Sequence, residues 1–168
     1  ERMGAVTPQV VSASESMANL KQKAMQLAAT NLPILMCGES GTGKEGLAEF
    51  VHACSSRNGN PLIKINCAAF PEHLLDNELF GHEPGAYTGA DSRFQGVFER
   101  AHKGTLLMDE VADMSVQTQA KILRALQNSE IRRIGGTEMI DVDVRFIAAT
   151  NRNVAELIDE GTFREDLY

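Results

Sequence analysis

The chain is short of the features that mark the less ordinary protein classes. Proline is sparse, at 5 of 168 residues, and with 43% hydrophobic and 23% charged residues the composition excludes a disordered, collagen-like or low-complexity chain. Long apolar runs are missing. The longest, around Leu32 to Cys37 and Phe146 to Ala149, fall far below the roughly 20 residues that a membrane span needs, so a soluble protein with no membrane partner is expected. Cysteine is scarce. Cys37, Cys54 and Cys67 are odd in number and lack C-x-x-C spacing, which points to neither a disulfide framework nor a zinc site and fits a reducing cytoplasm. Basic residues are outnumbered, 16 against 23 acidic, and the formal charge of −7 repels phosphate backbones, so direct DNA binding is not expected. No apolar signal core follows Glu1-Arg2-Met3, and the chain reads as a segment of a longer protein.

What is present fits one domain of alternating strands and helices. Ser14-Glu15-Ser16 offers N-caps for an amphipathic helix with an apolar stripe of Met17, Leu20, Ala24, Leu27 and Ala28. Strands are expected at Pro33 to Cys37, Leu62 to Ile65, Leu106 to Met108 and Arg145 to Ala149, the last three of them buried. Helices are expected at Glu45 to Cys54, Val116 to Gln127 and Val154 to Asp159, with a turn at Gly135-Gly136 between short extended segments. Strands separated by helices imply an α/β fold with a mostly parallel sheet.

Gly38-Glu39-Ser40-Gly41-Thr42-Gly43-Lys44 fits the first seven positions of the P-loop pattern and lies between an expected strand and an expected helix. Glycines let backbone N–H groups curl around a phosphate, the helix N-terminus adds its positive end, and Lys44 supplies a mobile cation. By composition alone the Gly-x4-Gly-Lys spacing would arise in about one chain in 20 of this length, so the strand and helix around it carry the inference. Position eight is Glu45, where the general pattern places a magnesium-ligating Ser or Thr.

Gly104 to Glu110 contains the third apolar strand, which delivers two carboxylates at its C-terminal end, where ligands of parallel sheets gather. Asp109 is the candidate magnesium partner and Glu110 the candidate general base that polarises a water. Asn66, Thr150 and Asn151 follow two other strands. They either position water near the phosphates or cap local turns, and spacing does not separate the two. Between the two nucleotide motifs, residues 78–90 are too rich in Gly and Pro for a regular element. They form a loop whose tip, Tyr87, is either a solvated partner anchor or a buried loop tyrosine.

These motifs together resemble the AAA+ domain of bacterial enhancer-binding proteins, the activators of sigma-54 RNA polymerase. The resemblance spans about Val10 to Tyr168. It rests on Gly38 to Glu45, Asn66-Cys67-Ala68-Ala69, Glu78-Leu79-Phe80-Gly81-His82, Gly85 to Ala90, Gly104 to Glu110 and Ala149-Thr150-Asn151. Glu45, anomalous in a general P-loop, is the residue this family usually carries. The resemblance implies an ATPase that uses ATP and Mg2+, assembles into a homo-oligomeric ring, usually hexameric, and remodels the closed complex of sigma-54 and RNA polymerase.

By residue, the resemblance implies that Gly38, Glu39, Ser40, Gly41, Thr42, Gly43, Lys44 and Glu45 hold ATP, and that Gly85, Ala86, Tyr87, Thr88, Gly89 and Ala90 touch sigma-54. The family usually has Phe at the position of Tyr87; an added hydroxyl costs free energy if buried unpaired, which would weaken or alter loop engagement. Asn66 would couple Glu110 to this loop, Thr150-Asn151 would be a nucleotide sensor, and Arg164 would be an arginine finger acting on a neighbouring subunit. Such a finger can contribute roughly 10³ to 10⁵ in rate. Without the resemblance Arg164 reads as a surface arginine in a helix cap. A second finger and the lid would follow Tyr168, and DNA would be met only through a separate flanking domain. Arg132 and Arg133 either face a neighbouring subunit or pore or lie on a solvated edge, while His52, His73, His82 and His102 lack ligand spacing. The alternatives are a AAA+ remodeller with another target, against which the 85–90 loop argues, and a nucleotide-binding interaction module without turnover, against which Glu110 and Arg164 argue.

Overall fold

Apolar residues of the four expected strands alternate between two faces, and each face is covered by helices. The computed structural model describes residues 15–168. Strands β1 (Ile34–Cys37), β2 (Leu62–Asn66), β3 (Thr105–Asp109) and β6 (Arg145–Thr150) form one parallel sheet in the order β1-β6-β3-β2. Leu106, Met108, Phe146 and Ala148 point to one face; Leu107, Ile147 and Ala149 point to the other. β6 is buried along its whole length, as expected of a central parallel strand covered on both sides.

The second face packs on α1 (Glu15–Ala28) and α2 (Lys44–Ala53) through Ala24, Ala28, Ala48, Phe50 and Val51. The first packs on α3 (Glu72–Phe80), α4 (Val97–Arg100), α5 (Val116–Asn128) and α6 (Val154–Asp159). Leu106, Met108, Ile122 and Ile147 are fully buried, and each such side chain stabilises the fold by about 1.5–3 kcal/mol relative to exposure. Short strands β4 (Glu130–Ile131) and β5 (Ile140–Asp141) form an antiparallel ribbon on either side of the Gly135-Gly136 turn.

Three departures from the sequence reading have physical causes. The strand at Leu62 to Ile65, expected to be buried, lies at the edge of the sheet, and of those four residues only Ile65 is buried. Leu20 and Leu27 are 42% and 38% exposed, because α1 seats Ala24 and Ala28 on the sheet and leaves Leu20 and Leu27 facing a groove. Ser14 and the side chains of Glu15, Ser16 and Met17 lie outside the described residues. Arg145 is fully buried, as expected of its strand; its guanidinium donates to the carbonyls of Ala28 at 3.1 Å and Leu27 at 2.7 Å and so closes the C-terminus of α1. Burial pushes its pKa down. Arg133 is neither on a solvated edge nor facing outward: it is 7% exposed and forms a buried triad with Glu83 and Glu99.

That triad joins two loops. Arg133 Nη1 donates to Glu83 at 2.6 Å, and its Nε and Nη2 grip Glu99 on α4 at 2.7 and 2.5 Å. Arg133 holds the Glu83 carboxyl below its usual range. The chain crosses itself beside the triad, where a side chain at Gly81, with φ of +72°, would meet the Phe94 carbonyl at 2.2 Å. Only glycine fits this crossing.

Candidate functional site

The sheet register sets the C-terminal ends of the parallel strands side by side, with Cys37 opposite Thr150 and Asn66 opposite Asp109. Each strand then turns away and leaves a polar residue behind. After β1, Gly38 donates its N–H to the Thr150 carbonyl at 3.1 Å, which seats the glycine loop on the end of β6. Gly41 and Gly43 take φ of +78° and +87°, a left-handed conformation that glycine adopts without penalty. Helix α2 starts at Lys44 with no side-chain cap, so no side chain occupies its positive end, a geometry that suits an anion. Lys44 Nζ folds back onto the loop and donates to the carbonyls of Gly38 at 2.7 Å and Glu39 at 2.9 Å. Thr42 Oγ1 donates to Glu39 O at 2.8 Å, and Glu39, Ser40, Gly41 and Thr42 stay exposed.

Glu45 takes a different direction. It accepts from Lys64 Nζ at 2.8 Å, and Lys64 also bridges to Glu49. The bond to Glu45 is the leading cause that raises the Lys64 pKa. Glu45, Lys64, Asn66 and Asp109 line a small cavity of about 170 Å³ at the strand ends.

On β3 the two carboxylates diverge. Asp109 Oδ1 accepts the N–H of Glu110 at 3.0 Å, and Glu110 adopts left-handed φ of 53°. A non-glycine residue there costs on the order of 1–2 kcal/mol, and the strain turns the Glu110 side chain toward β6. Its Oε2 accepts the N–H of Asn151 at 3.2 Å. Asp109, Glu110, Thr150, Asn151 and the glycine loop are therefore one hydrogen-bonded neighbourhood.

Asn66 and Thr150 use their side chains locally. Asn66 Oδ1 accepts from Ala68 N–H at 2.9 Å, and the fully buried Thr150 accepts from Arg152 N–H at 3.1 Å. Both act as turn caps here. Cys67, next to Asn66, is buried, and desolvation pushes its thiol up to about 12.

The 85–90 loop is a closed turn. Gly85 N–H donates to Ala90 O at 2.8 Å and Ala90 N–H to Tyr87 O at 3.0 Å. Ala90 is buried, and Thr88 and Gly89 are exposed. Ala86 abuts Gly135 of the β4–β5 turn, where an added Cβ would stand 2.7 Å from its own. Tyr87, half-exposed at 48%, leans edge-on against His82 with ring centres 5.1 Å apart. The imidazole of His82 stacks on Phe94 and bonds Asn77 Oδ1 at 2.6 Å through Nδ1. The loop tip is thus neither fully solvated nor buried.

Arg164 lies apart from this cluster. Its guanidinium forks onto Asp166, at 2.8 and 2.6 Å, and the pairing raises its pKa while lowering that of Asp166. Beside the glycine loop an apolar groove of about 640 Å³ runs between α1, β1 and α2, lined by Leu20, Lys23, Leu27, Cys37 and Leu47 together with Lys44. Its size and chemistry suit a small organic ligand. Lys64, Gln119 and the part of α1 that walls the groove were not singled out from sequence. The polar Gln119 on the apolar side of α5 was the available signal.

The family described as "Sigma-54 interaction domain" matches residues 10–168. The chain belongs to that family. Among sigma-54 interaction domain relatives, "Regulatory protein AtoC" of Escherichia coli is 51% identical over 159 residues, covering 95% of this chain and 34% of that protein. "Transcriptional regulatory protein ZraR" of Salmonella typhimurium is 48% identical over 159 residues, covering 95% of this chain and 36% of the relative. The crystal structure of NtrX from Brucella abortus in complex with ATP superposes with a TM-score of 0.87 at 43% identity, over 95% of this chain and 34% of that one. The P-loop NTPase domain of a sigma-54 activator from E. coli, at 18% identity and a TM-score of 0.60, agrees in fold. The chain spans about a third of the length of AtoC and ZraR. No helix of the described residues is long and apolar enough to cross a membrane.

Proposed function

We propose that this sigma-54 interaction domain is the ATP-hydrolysing unit of a sigma-54-dependent transcriptional activator. It assembles with copies of itself into a ring, a hexamer, and remodels the closed complex of sigma-54 and RNA polymerase. One observation carries this reading: Gly38 bonds Thr150, and Asn151 bonds Glu110, so two consecutive residues join the phosphate cradle to the acidic strand end.

ATP supplies the phosphoanhydride whose cleavage drives the remodelling. Gly38, Glu39, Ser40, Gly41, Thr42 and Gly43 present the loop N–H groups and the start of α2 to its phosphates, and Lys44 exchanges its two carbonyl acceptors for phosphate oxygens. The apolar groove beside the loop takes the base. Glu45 stays with Lys64 and shapes the floor of the site.

Asp109, at the end of β3, would hold Mg2+, which would supply charge to offset that of the ATP phosphates. Glu110, fixed through Oε2, keeps Oε1 free to accept a proton from the attacking water. Asn66, Thr150 and Asn151 frame that water and report on the phosphate. Arg164 leaves Asp166 to offset phosphoryl charge in the site of a neighbouring copy. Residues 85–90, joined to the β4–β5 turn through Ala86 and Gly135, pass the change to sigma-54.

The 168-residue chain by itself is expected to hydrolyse ATP weakly or not at all, because a single copy offers no trans arginine. In the full-length protein, ATPase rate measured against protein concentration should rise more steeply than linearly. A strictly linear dependence would overturn the trans assignment.

A further inference from the structure

Gln119 on α5 is a fully buried amide that spends its hydrogen bonds on two segments with different assignments. Its Nε2 donates to the carbonyls of Met114 and Thr162, both at 3.0 Å. Its Oε1 accepts the backbone N–H of Arg164 at 2.9 Å. Both donors and one acceptor lone pair are therefore used, and no water is needed to satisfy the group.

In the ring proposed above these two segments of one chain serve different sites, the Glu110 loop its own and Arg164 that of a neighbouring copy. Met114 ends the short 3-10 turn Val111–Asp113, whose N-cap is Glu110. Thr162 and Arg164 flank the buried Phe163, and the N–H groups of Thr162 and Phe163 are held by the carbonyl of Leu157 on α6 at 2.9 and 3.0 Å. The segment leading to Arg164 is thus fixed at two points, Leu157 and Gln119, and Gln119 also grips the loop that follows Glu110. A rigid amide between them carries any shift of one segment to the other, since three hydrogen bonds, one buried and two part-buried, resist separation.

We infer that Gln119 is a positioning residue: it sets the backbone of Arg164 for action on the neighbouring copy and ties that setting to the Glu110 loop of its own site. This rests on the trans role proposed for Arg164. Gln119 touches neither nucleotide nor reacting atoms; its effect passes through Arg164.

The test is complementation between two inactive variants of the full-length protein. Gln119→Met keeps the volume and removes all three hydrogen bonds, and its hydrolysis should fall at least tenfold while nucleotide binding persists. Mixed in equal amounts with Glu110→Gln, which lacks the base but keeps the arginine, it should regain activity. About a quarter of interfaces would then pair an intact Glu110 with an intact Arg164 donor, setting an upper level of about a quarter of wild-type turnover. Arg164→Ala mixed with Glu110→Gln is the control. Rescue in the control but not with Gln119→Met would overturn the inference and leave the trans reading standing. No rescue in the control would overturn the trans reading, and the inference with it. Circular dichroism and nucleotide binding verify folding. Should Gln119→Met not fold, Gln119→Glu keeps the acceptor for the Arg164 N–H, sets an oxygen against the two carbonyls, and should follow the same pattern of loss and rescue.

Discussion

The carboxylate of Glu110, at the end of β3, accepts the backbone N–H of Asn151, beyond the end of β6, at 3.2 Å. One oxygen is thereby held by the backbone, and in the proposed function the other serves as the base. The two strands are already neighbours in the sheet, so the bond needs only the left-handed turn at Glu110 to aim the side chain across.

Glu110→Gln retains an acceptor for Asn151 and the volume of the side chain, and removes the basic oxygen. ATP affinity should therefore change less than about threefold, while turnover in the full-length protein should drop by roughly 10²–10⁴. Binding titrations and phosphate release check both. Loss of binding would count against the general-base role.

Arg133 and Arg132 are adjacent but unlike. Arg133→Ala leaves two acidic partners in a largely buried site and should destabilise the domain by about 3–5 kcal/mol. Arg132 is exposed and forms no ion pair among the described residues, so Arg132→Ala should stay within about 0.5 kcal/mol. Denaturant unfolding of the two variants measures the contrast. Equal effects would mean that the triad does not form.

Much of the architecture was legible because short apolar runs bounded by Gly and Pro have few readings, and the strands at Ile34–Cys37 and Arg145–Thr150 fall where those runs lie. The places of the glycine loop, between β1 and α2, and of Asp109-Glu110, at the end of β3, were legible because both follow from local spacing. Arg133 and Gln119 were not. A polar residue can be buried only with partners, and those partners, Glu83 and Glu99 for one, Thr162 and Arg164 for the other, come from distant parts of the chain. The exposed part of the α1 stripe was misread for a related reason: periodicity identifies an apolar face without showing where the neighbouring element stops.

The three cysteines should differ in reactivity. Cys67, buried and pushed up to about 12, should resist a thiol reagent at pH 8, while Cys37 and Cys54 are exposed and should react. Cys37 also lines the groove beside the glycine loop, so ATP should slow its labelling and leave that of Cys54 unchanged. Mass spectrometry of labelled peptides reads this directly. Equal protection of Cys37 and Cys54 would argue against the base occupying the groove.

His52 is buried, with Nδ1 2.9 Å from Thr105 Oγ1, and burial lowers its pKa. Its folded pKa lies below the unfolded value of about 6.5, so on acidification the unfolded chain takes up the proton first. Its contribution to stability is present above about pH 6.5 and is lost as pH falls toward the folded pKa. Melting temperature should decline from pH 7 to pH 5.5, and His52→Gln should flatten that slope. An unchanged slope would assign the acid sensitivity to other groups.

The most direct measurement concerns the 85–90 loop and its target. Full-length protein trapped with a transition-state mimic of the ATP γ-phosphate should capture purified sigma-54, and Thr88→Ala, in the exposed part of the loop, should lose capture while still binding nucleotide and assembling. Assembly and nucleotide binding with no sigma-54 capture by the unmodified protein would contradict the proposed function.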